Sequence, residues 1–290
     1  MSGLLKIGVL NMKRFIAVCL LCLCVVGLSN SQVYKAMTYN IRYDNPKDGE
    51  NQWSKRKAFL CNQITFYDPD VFGIQEGLQH QVQYIDSTLV NYGYVGVGRD
   101  DGKTKGEYSA IFYNSDKFEV LESNTFWLSS TPNMISVGWD ASMERICTYA
   151  LFQEKETKQK FWLFNTHFDH IGLKAREESA KLIVNKIAEL NQNDFPVVLM
   201  GDFNLKPNSI PITYLSDIFS DTKLVSKSKP FGPEGTFNGF KFNEPVKDRI
   251  DYVFVSKDKI EVNKYAILSD SKDCKYPSDH LPVYVEVDIK

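Results

Sequence analysis

Short runs dense in Val, Ile, Phe and Tyr alternate along the chain with longer stretches whose apolar residues recur every three to four positions. The runs predict strands over Tyr34–Ile41, Val71–Gln75, Ser109–Tyr113, Thr148–Gln153, Phe161–Thr166, Val197–Gly201, Tyr252–Ser256 and Val283–Val287. Several are apolar throughout, as strands covered on both faces are. The helical spacing predicts Trp53–Phe66, Gln79–Leu89 and Leu173–Leu190, while Pro46, Pro132, Pro207, Pro230 and Pro277 fall in polar connectors. No low-complexity tract or repeat interrupts residues 32–290, so one domain is expected. Strands and helices interleaved in this way predict a mixed sheet system with helices outside it, an α/β or α+β sandwich.

The N-terminus has a different pattern. Met12-Lys13-Arg14 precedes an apolar run from Phe15 to Leu28 and the small polar tail Ser29-Asn30-Ser31, the order of a secretory signal. The run is shorter than the roughly 20 residues of a membrane span. The expectation is a start at Met12, cleavage after Ser31, and an exported protein, periplasmic or extracellular. A buried N-terminal helix fits poorly because Leu20–Val26 is apolar on every face, and a lipid anchor on Cys22 or Cys24 lacks the usual preceding small residues. Hydrophobic residues at 43% and charged residues at 24% exclude a disordered, collagen-like or multi-span membrane chain. The formal charge of -2 falls to about -5 without residues 1–31, against a protein that coats nucleic acid. Cys61, Cys147 and Cys274 remain, enough for at most one disulfide, so the core must hold the fold.

Polar residues gather just past the apolar runs in six blocks. They are Thr38-Tyr39-Asn40-Ile41-Arg42, Gly73-Ile74-Gln75-Glu76, Asn165-Thr166-His167-Phe168-Asp169-His170, Met200-Gly201-Asp202-Phe203-Asn204, Arg249-Ile250-Asp251-Tyr252 and Ser278-Asp279-His280-Leu281-Pro282. A strand end is rigid backbone opening on solvent, where reactive groups are held still. A carboxamide oxygen beside a carboxylate, as in Asn40 and Glu76, suits a hard cation. Each block has a blander reading: Asn40 as a turn cap, Glu76 as the acid opening a helix, Asp202 and Asn204 as an Asx-turn.

With Gly201–Asn204 and Ser278–His280 as the most specific blocks, the chain from about Tyr34 to Val287 resembles the endonuclease/exonuclease/phosphatase superfamily, the deoxyribonuclease I-like group. The resemblance implies a four-layer α/β/β/α sandwich, two packed mixed sheets flanked by helices, and Mg²⁺-dependent hydrolysis of phosphoesters, with Mn²⁺ as a substitute. It implies a metal site at Glu76, Asn40 and Asp279. Asp202 would orient or deprotonate water, and Asn204 would hydrogen-bond the phosphate. His280, backed by Asp251, would act as a general base or as a charged donor. His167, oriented by Glu107, would be a second imidazole, and Arg145 a phosphate contact. Asp169 and His170 would shape the pocket, and His80 reads as a structural hydrogen-bonder.

Two other classes stand beside this one. The first is a binding protein on an inactive hydrolase fold, which the full set of polar blocks disfavours. The second is a zinc hydrolase using His167, His170 and His280, which leaves Asn40, Glu76 and Asp202 without a role. The substrate is open between nucleic acid, a phosphorylated head group and a small molecule. Lys55-Arg56-Lys57 reads as the solvated side of a helix, and Phe126, Trp127 and Trp139 in the expected loop Asn124–Trp139 read as core or as ring-stacking residues. No obligate protein partner is evident, and a monomer is expected.

Overall fold

Two six-stranded sheets pack face to face in the computed structural model, which describes residues 33–290; the expected signal segment lies outside the described residues. The first sheet runs in the order β11 (Ile260–Ile267), β12 (Val283–Ile289), β1 (Val33–Asn40), β2 (Val71–Gln75), β4 (Ile111–Asn114), β3 (Tyr92–Val95). The second runs β5 (Phe118–Trp127), β6 (Ile146–Glu154), β7 (Lys160–His167), β8 (Val197–Asp202), β10 (Asp251–Ser256), β9 (Phe219–Asp221). Both are mixed: β1 with β2 and β7 with β8 are parallel, and the remaining pairs are antiparallel. Helices α1 (Trp53–Tyr67) and α2 (Gln79–Thr88) pack Leu60, Ile64, Val82 and Ile85 with Met37, Tyr39, Phe72 and Ile74 of the first sheet. Helices α3 (Leu173–Leu190) and α4 (Ile210–Ile218) do the same for the second sheet through Ile183, Ile187, Ile212 and Leu215. The four-layer sandwich is therefore the observed architecture.

The four strands that the apolar pattern does not reveal, β3, β5, β9 and β11, are the four sheet edges. An edge strand is covered on one side only, and its apolar positions are diluted. In β5 residues 121–124 are exposed, and register shifts interrupt the pairing of both β5 and β11. Two expectations change with these strands in place. Residues 124–127 belong to β5 rather than a loop, and Phe126 and Trp127 are buried core. Arg56, at the centre of the basic triplet, is also buried: it donates to the carbonyls of Ile41, Arg42, Asn51 and Pro277, tying the exit of β1 to the segment before β12. The three cysteines are unpaired, Cys61 and Cys147 in the core and Cys274 exposed.

The inter-sheet core has a polarity gradient along the strands. Inward positions read Tyr34, Ala36, Thr38, Asn40 on β1 and Phe161, Leu163, Asn165, His167 on β7. On β8 they read Val198, Met200, Asp202, and on antiparallel β10, taken in reverse, Val255, Val253, Asp251. Because side chains alternate with period two, one face of each strand carries apolar packing at one end and polar chemistry at the other. Between these zones lies a layer of buried amides. Asn165 Nδ2 donates across the sandwich to Ile74 O and Ala110 O, both at 2.9 Å, and its Oδ1 accepts from Gln75 Nε2 at 2.6 Å. A Cβ on Gly73 would stand 2.6 Å from the Asn165 amide, so glycine is what lets the bridge form.

Candidate active site

The polar end of the inter-sheet core opens into a cleft of about 520 Å³ lined by Arg42, Glu76, Arg145, His167, Asp202, Asn204, Asp279 and His280, among others. Register explains the second sheet's contribution: His167 on β7, Asp202 on β8 and Asp251 on β10 are Cα neighbours in one row. Gly201 makes that row possible, since it has φ +147° and a Cβ there would stand 2.0 Å from Thr166 O. Asp251 Oδ2 lies 2.9 Å from His280 Nδ1, and the other ring nitrogen faces Asp202 Oδ2 at 3.8 Å. Phe237 closes one side of the imidazole edge-on, with centroids 5.1 Å apart.

The first sheet supplies the acidic cup. Asn40 Nδ2 donates to Glu76 Oε1 at 3.0 Å and to Asp202 Oδ2 at 2.9 Å, while Tyr43 N donates to Glu76 Oε2 at 3.1 Å. Ser278 Oγ donates to Asn40 O at 2.7 Å, which brings Asp279 to the same place. Arg42 Nη1 stands 3.8 Å from Asp279 Oδ2. Arg42, Glu76 and Asn204 all take positive φ, at 55°, 64° and 50°, and backbone strain of about 1–3 kcal/mol per residue is typical of functional sites. Adjacent residues thus serve both parts: Asp279 faces the cup and His280 faces the row on the second sheet.

Charge explains the perturbed groups. Burial, followed by the Asp251 carboxylate, pushes Asp202 up to about 7. Burial raises Asp279 to about 6, with Glu76 adding to the rise and His280 opposing it. Burial alone would lower His280, but Asp251 and Asp202 outweigh it and hold the imidazole well above its usual range. His167 goes the other way, lowered by burial and then by Arg145 and Arg99, and is neutral at ordinary pH.

The donor chemistry fits a hard divalent cation. Glu76 and Asp279 offer carboxylate oxygens, the Asn40 carboxamide turns its Nδ2 to Glu76 and its Oδ1 to Arg42 N, and Glu76, Glu107, Asp202 and Asp279 line one cleft, the last three raised chiefly by burial. Asp251 Oδ1 is buried without a hydrogen-bond partner. Among the described residues, Asp202, Asp251 and His280 also lie within 4.8 Å of one another at their ligating atoms. The Nδ1 of His280 is committed to Asp251, so that trio is a hydrogen-bonded relay rather than a metal cage. The zinc set does not assemble: His170 is exposed with Nδ1 2.9 Å from Arg145 Nη2, while His167 is engaged by Asn204 and His280 by Asp251.

One assignment is corrected. Glu107 does not orient His167; it takes Arg99 end-on, at 2.8 and 2.9 Å, because a guanidinium fork matches both of its oxygens. Asn204 Nδ2 is the group beside His167 Nε2, at 3.1 Å, with Asp202 Oδ2 at 3.4 Å. Arg145 is placed by Asp169, with Nε 3.3 Å from Oδ2, and by His170, which itself lines the cleft. His80 pairs with Asp44 on the surface. Arg42, Arg99 and Phe237 line the cleft and Asn165 bridges the sheets, four positions to which the sequence pattern assigned no role. The signal for Asn165 is the polar residue at inward parity between Leu163 and His167; Arg99 lies in a polar turn with no periodic signal.

Residues 37–280 match the model of the Endonuclease/Exonuclease/phosphatase family. A family member of known structure from Bacteroides thetaiotaomicron is 39% identical, covers 89% of this chain and 98% of its own, and superposes with a TM-score of 0.86. A mannosyl-6-phosphatase from the same organism is also 39% identical, covering 88% and 99%, with a TM-score of 0.84. An uncharacterized mimivirus protein is 29% identical over 81% of this chain and 91% of its own. Members of this family hydrolyse phosphoric esters and generally depend on a divalent metal. With the fold, the acidic cup and the histidine–aspartate row in place, the chain belongs to the endonuclease/exonuclease/phosphatase family.

Proposed function

We propose that the chain is an exported, Mg²⁺-dependent phosphatase that removes the phosphoryl group from a small phosphorylated sugar, acting as a monomer. The observation carrying this reading is the cleft, about 520 Å³ and ringed by the guanidiniums of Arg42, Arg99 and Arg145. That volume suits one compact phosphoester, whereas a nuclease gripping a duplex tracks many phosphates with a basic face. The 39% identity to a mannosyl-6-phosphatase supports a sugar monoester. The Met12–Ser31 pattern supports export, with residues 32–290 as the single mature domain.

Glu76, Asn40 and Asp279 would hold the Mg²⁺, whose charge offsets the anionic phosphoryl oxygens when bound. Asp202, raised toward neutrality, takes a proton from the attacking water as the new P–O bond forms. His280, kept protonated between Asp251 and Asp202, donates from Nε2 to a phosphoryl oxygen instead of serving as the base. Arg145 and Asn204 fix the phosphate from the His167 side. The ester P–O bond breaks toward the sugar, whose oxygen takes a proton from solvent water while Asp202 returns its own to solvent, giving inorganic phosphate and the free hydroxyl.

The test is a chelator-stripped enzyme resupplied with Mg²⁺, Mn²⁺ or Zn²⁺ and assayed on mannose 6-phosphate, a bis-nitrophenyl diester, DNA and RNA. Mg²⁺-restored hydrolysis of the sugar monoester is expected. Cleavage of nucleic acid with the monoester left intact, or rescue by Zn²⁺ alone, overturns the reading.

A further inference from the structure

The strongest unassigned group in the cleft is the Arg99–Glu107 pair. Both residues line the main cleft, and with Arg145 and His167 they also line a void of about 10 Å³ beside it. Arg99 is held as a rigid strut. Its backbone N–H donates to Glu107 O at 3.1 Å, and its carbonyl accepts from Trp127 Nε1 at 2.8 Å. Its guanidinium meets both Glu107 oxygens. Nη2 also points at Met143 Sδ, 3.1 Å away, a weak acceptor on the cleft wall that an anionic oxygen would displace. Arg145 approaches from the other loop, fixed by Asp169. Two guanidiniums therefore flank His167 from opposite elements, close enough that their charges both depress its basicity.

We propose that Arg99, positioned by Glu107, is a specificity-determining residue that with Arg145 grips the terminal oxygens of a phosphomonoester dianion and so favours monoesters over diesters. A monoester offers three terminal oxygens and up to two charges, and a second guanidinium has an oxygen and a charge to meet. A diester offers two terminal oxygens and one charge, which Arg145 alone can satisfy. Glu107 offsets the cost of holding a second cation in a partly buried site, and its carboxylate keeps the fork aimed. The inference rests on the sugar-phosphatase reading.

The experiment compares kcat/KM on nitrophenyl phosphate and on bis-nitrophenyl phosphate, in Mg²⁺, for wild type, Arg99→Lys and the double variant Arg99→Ala/Glu107→Ala. The double variant removes both charges, so no partly buried ion is left without its partner. Loss of a charged hydrogen bond predicts a fall of about 10- to 100-fold on the monoester, and on the diester less than about threefold. Inorganic phosphate should also inhibit the variants more weakly than wild type. Equal losses on the two substrates, or an unchanged monoester rate, overturn the role of Arg99 while leaving the phosphatase reading intact. A wild-type enzyme inert on monoesters overturns that reading and this inference with it.

Discussion

Asp251 and Asp202 are Cα partners across β10 and β8, and the imidazole of His280 is the cation between them, 2.9 Å from the first and 3.8 Å from the second. Replacing Asp251 by Asn removes the acid that holds His280 protonated and aimed. It also relieves the repulsion between two buried carboxylates. Asp251→Asn should therefore lower kcat by about 10²–10³ with little loss of thermal stability. Steady-state kinetics and a melt on the same sample check this, and a variant within threefold of wild type would remove the relay from the mechanism.

Glu76 supplies the half-exposed carboxylate of the cup. Glu76→Gln keeps the shape but removes a unit of charge. A ligand that binds only the folded state stabilises it by about 2.7 kcal/mol at a concentration 100 times its Kd. Wild type should thus melt higher as Mg²⁺ is titrated, and the Glu76→Gln curve should stay flat. Equal metal-induced shifts in the two proteins would place the cation elsewhere.

Asp169 gives a pH dependence that does not involve the cup. Burial works against its ionisation, but N–H groups of Gly172, Ile171 and Ser142 and the Ser142 hydroxyl donate to it and hold it well below the usual carboxylate range. A folded value below the unfolded one, near 3.9, means that the ionised side chain stabilises the fold above that pH. The contribution fades as pH falls from about 4 through the depressed value. Asp169→Asn should cost about 1–3 kcal/mol at pH 7 and progressively less toward pH 3. Melts across that series that show a constant gap would contradict the argument.

Arg56 donates to four backbone carbonyls from a site 4% exposed. Arg56→Met retains most of the aliphatic stem and leaves those acceptors unmet, at a cost of about 2–4 kcal/mol by urea unfolding. Because it joins Ile41 and Arg42 to Pro277, activity should fall even where the variant is fully folded. Full activity at reduced stability would show that the cup is fixed without it.

The proposed export makes a chemical prediction. The mature protein recovered from a secreting host should begin at Gln32, one residue before β1, as read by mass spectrometry of its N-terminal peptide. A chain retaining Met12–Ser31 would contradict it.

The strands that sequence reveals are those at the centre of each sheet, where two covering neighbours and a helix layer demand unbroken apolar runs such as Val197–Met200. The edges are hidden because half their surface answers to water. The same division governs the site. His167, Asp202, Asp251 and His280 stand out because the first two end central strands, the third opens one and the last shortly precedes one, where a polar residue breaks an apolar rhythm. Arg99 and Phe237 come from irregular segments brought in by pairings distant in the chain, including the bridge between Phe237 and His280, and local pattern cannot announce them. Glu107 shows the limit of transferring roles by position: its neighbour Arg99, eight residues away, competes for the same carboxylate and wins with two hydrogen bonds.

The amide of Asn165 crosses from one sheet to the other directly beneath the cleft, anchored on Ile74 and Ala110 at its far end. Prising the layers apart to admit a bulkier guest would sever those bonds in a dry interior, so the floor of the site is unyielding. Adaptation to different leaving groups then falls to the walls, the segments around Arg99, Met143 and Phe237. On the proposed phosphatase reading, a change of leaving alcohol would be met at those walls while the floor stays as it is.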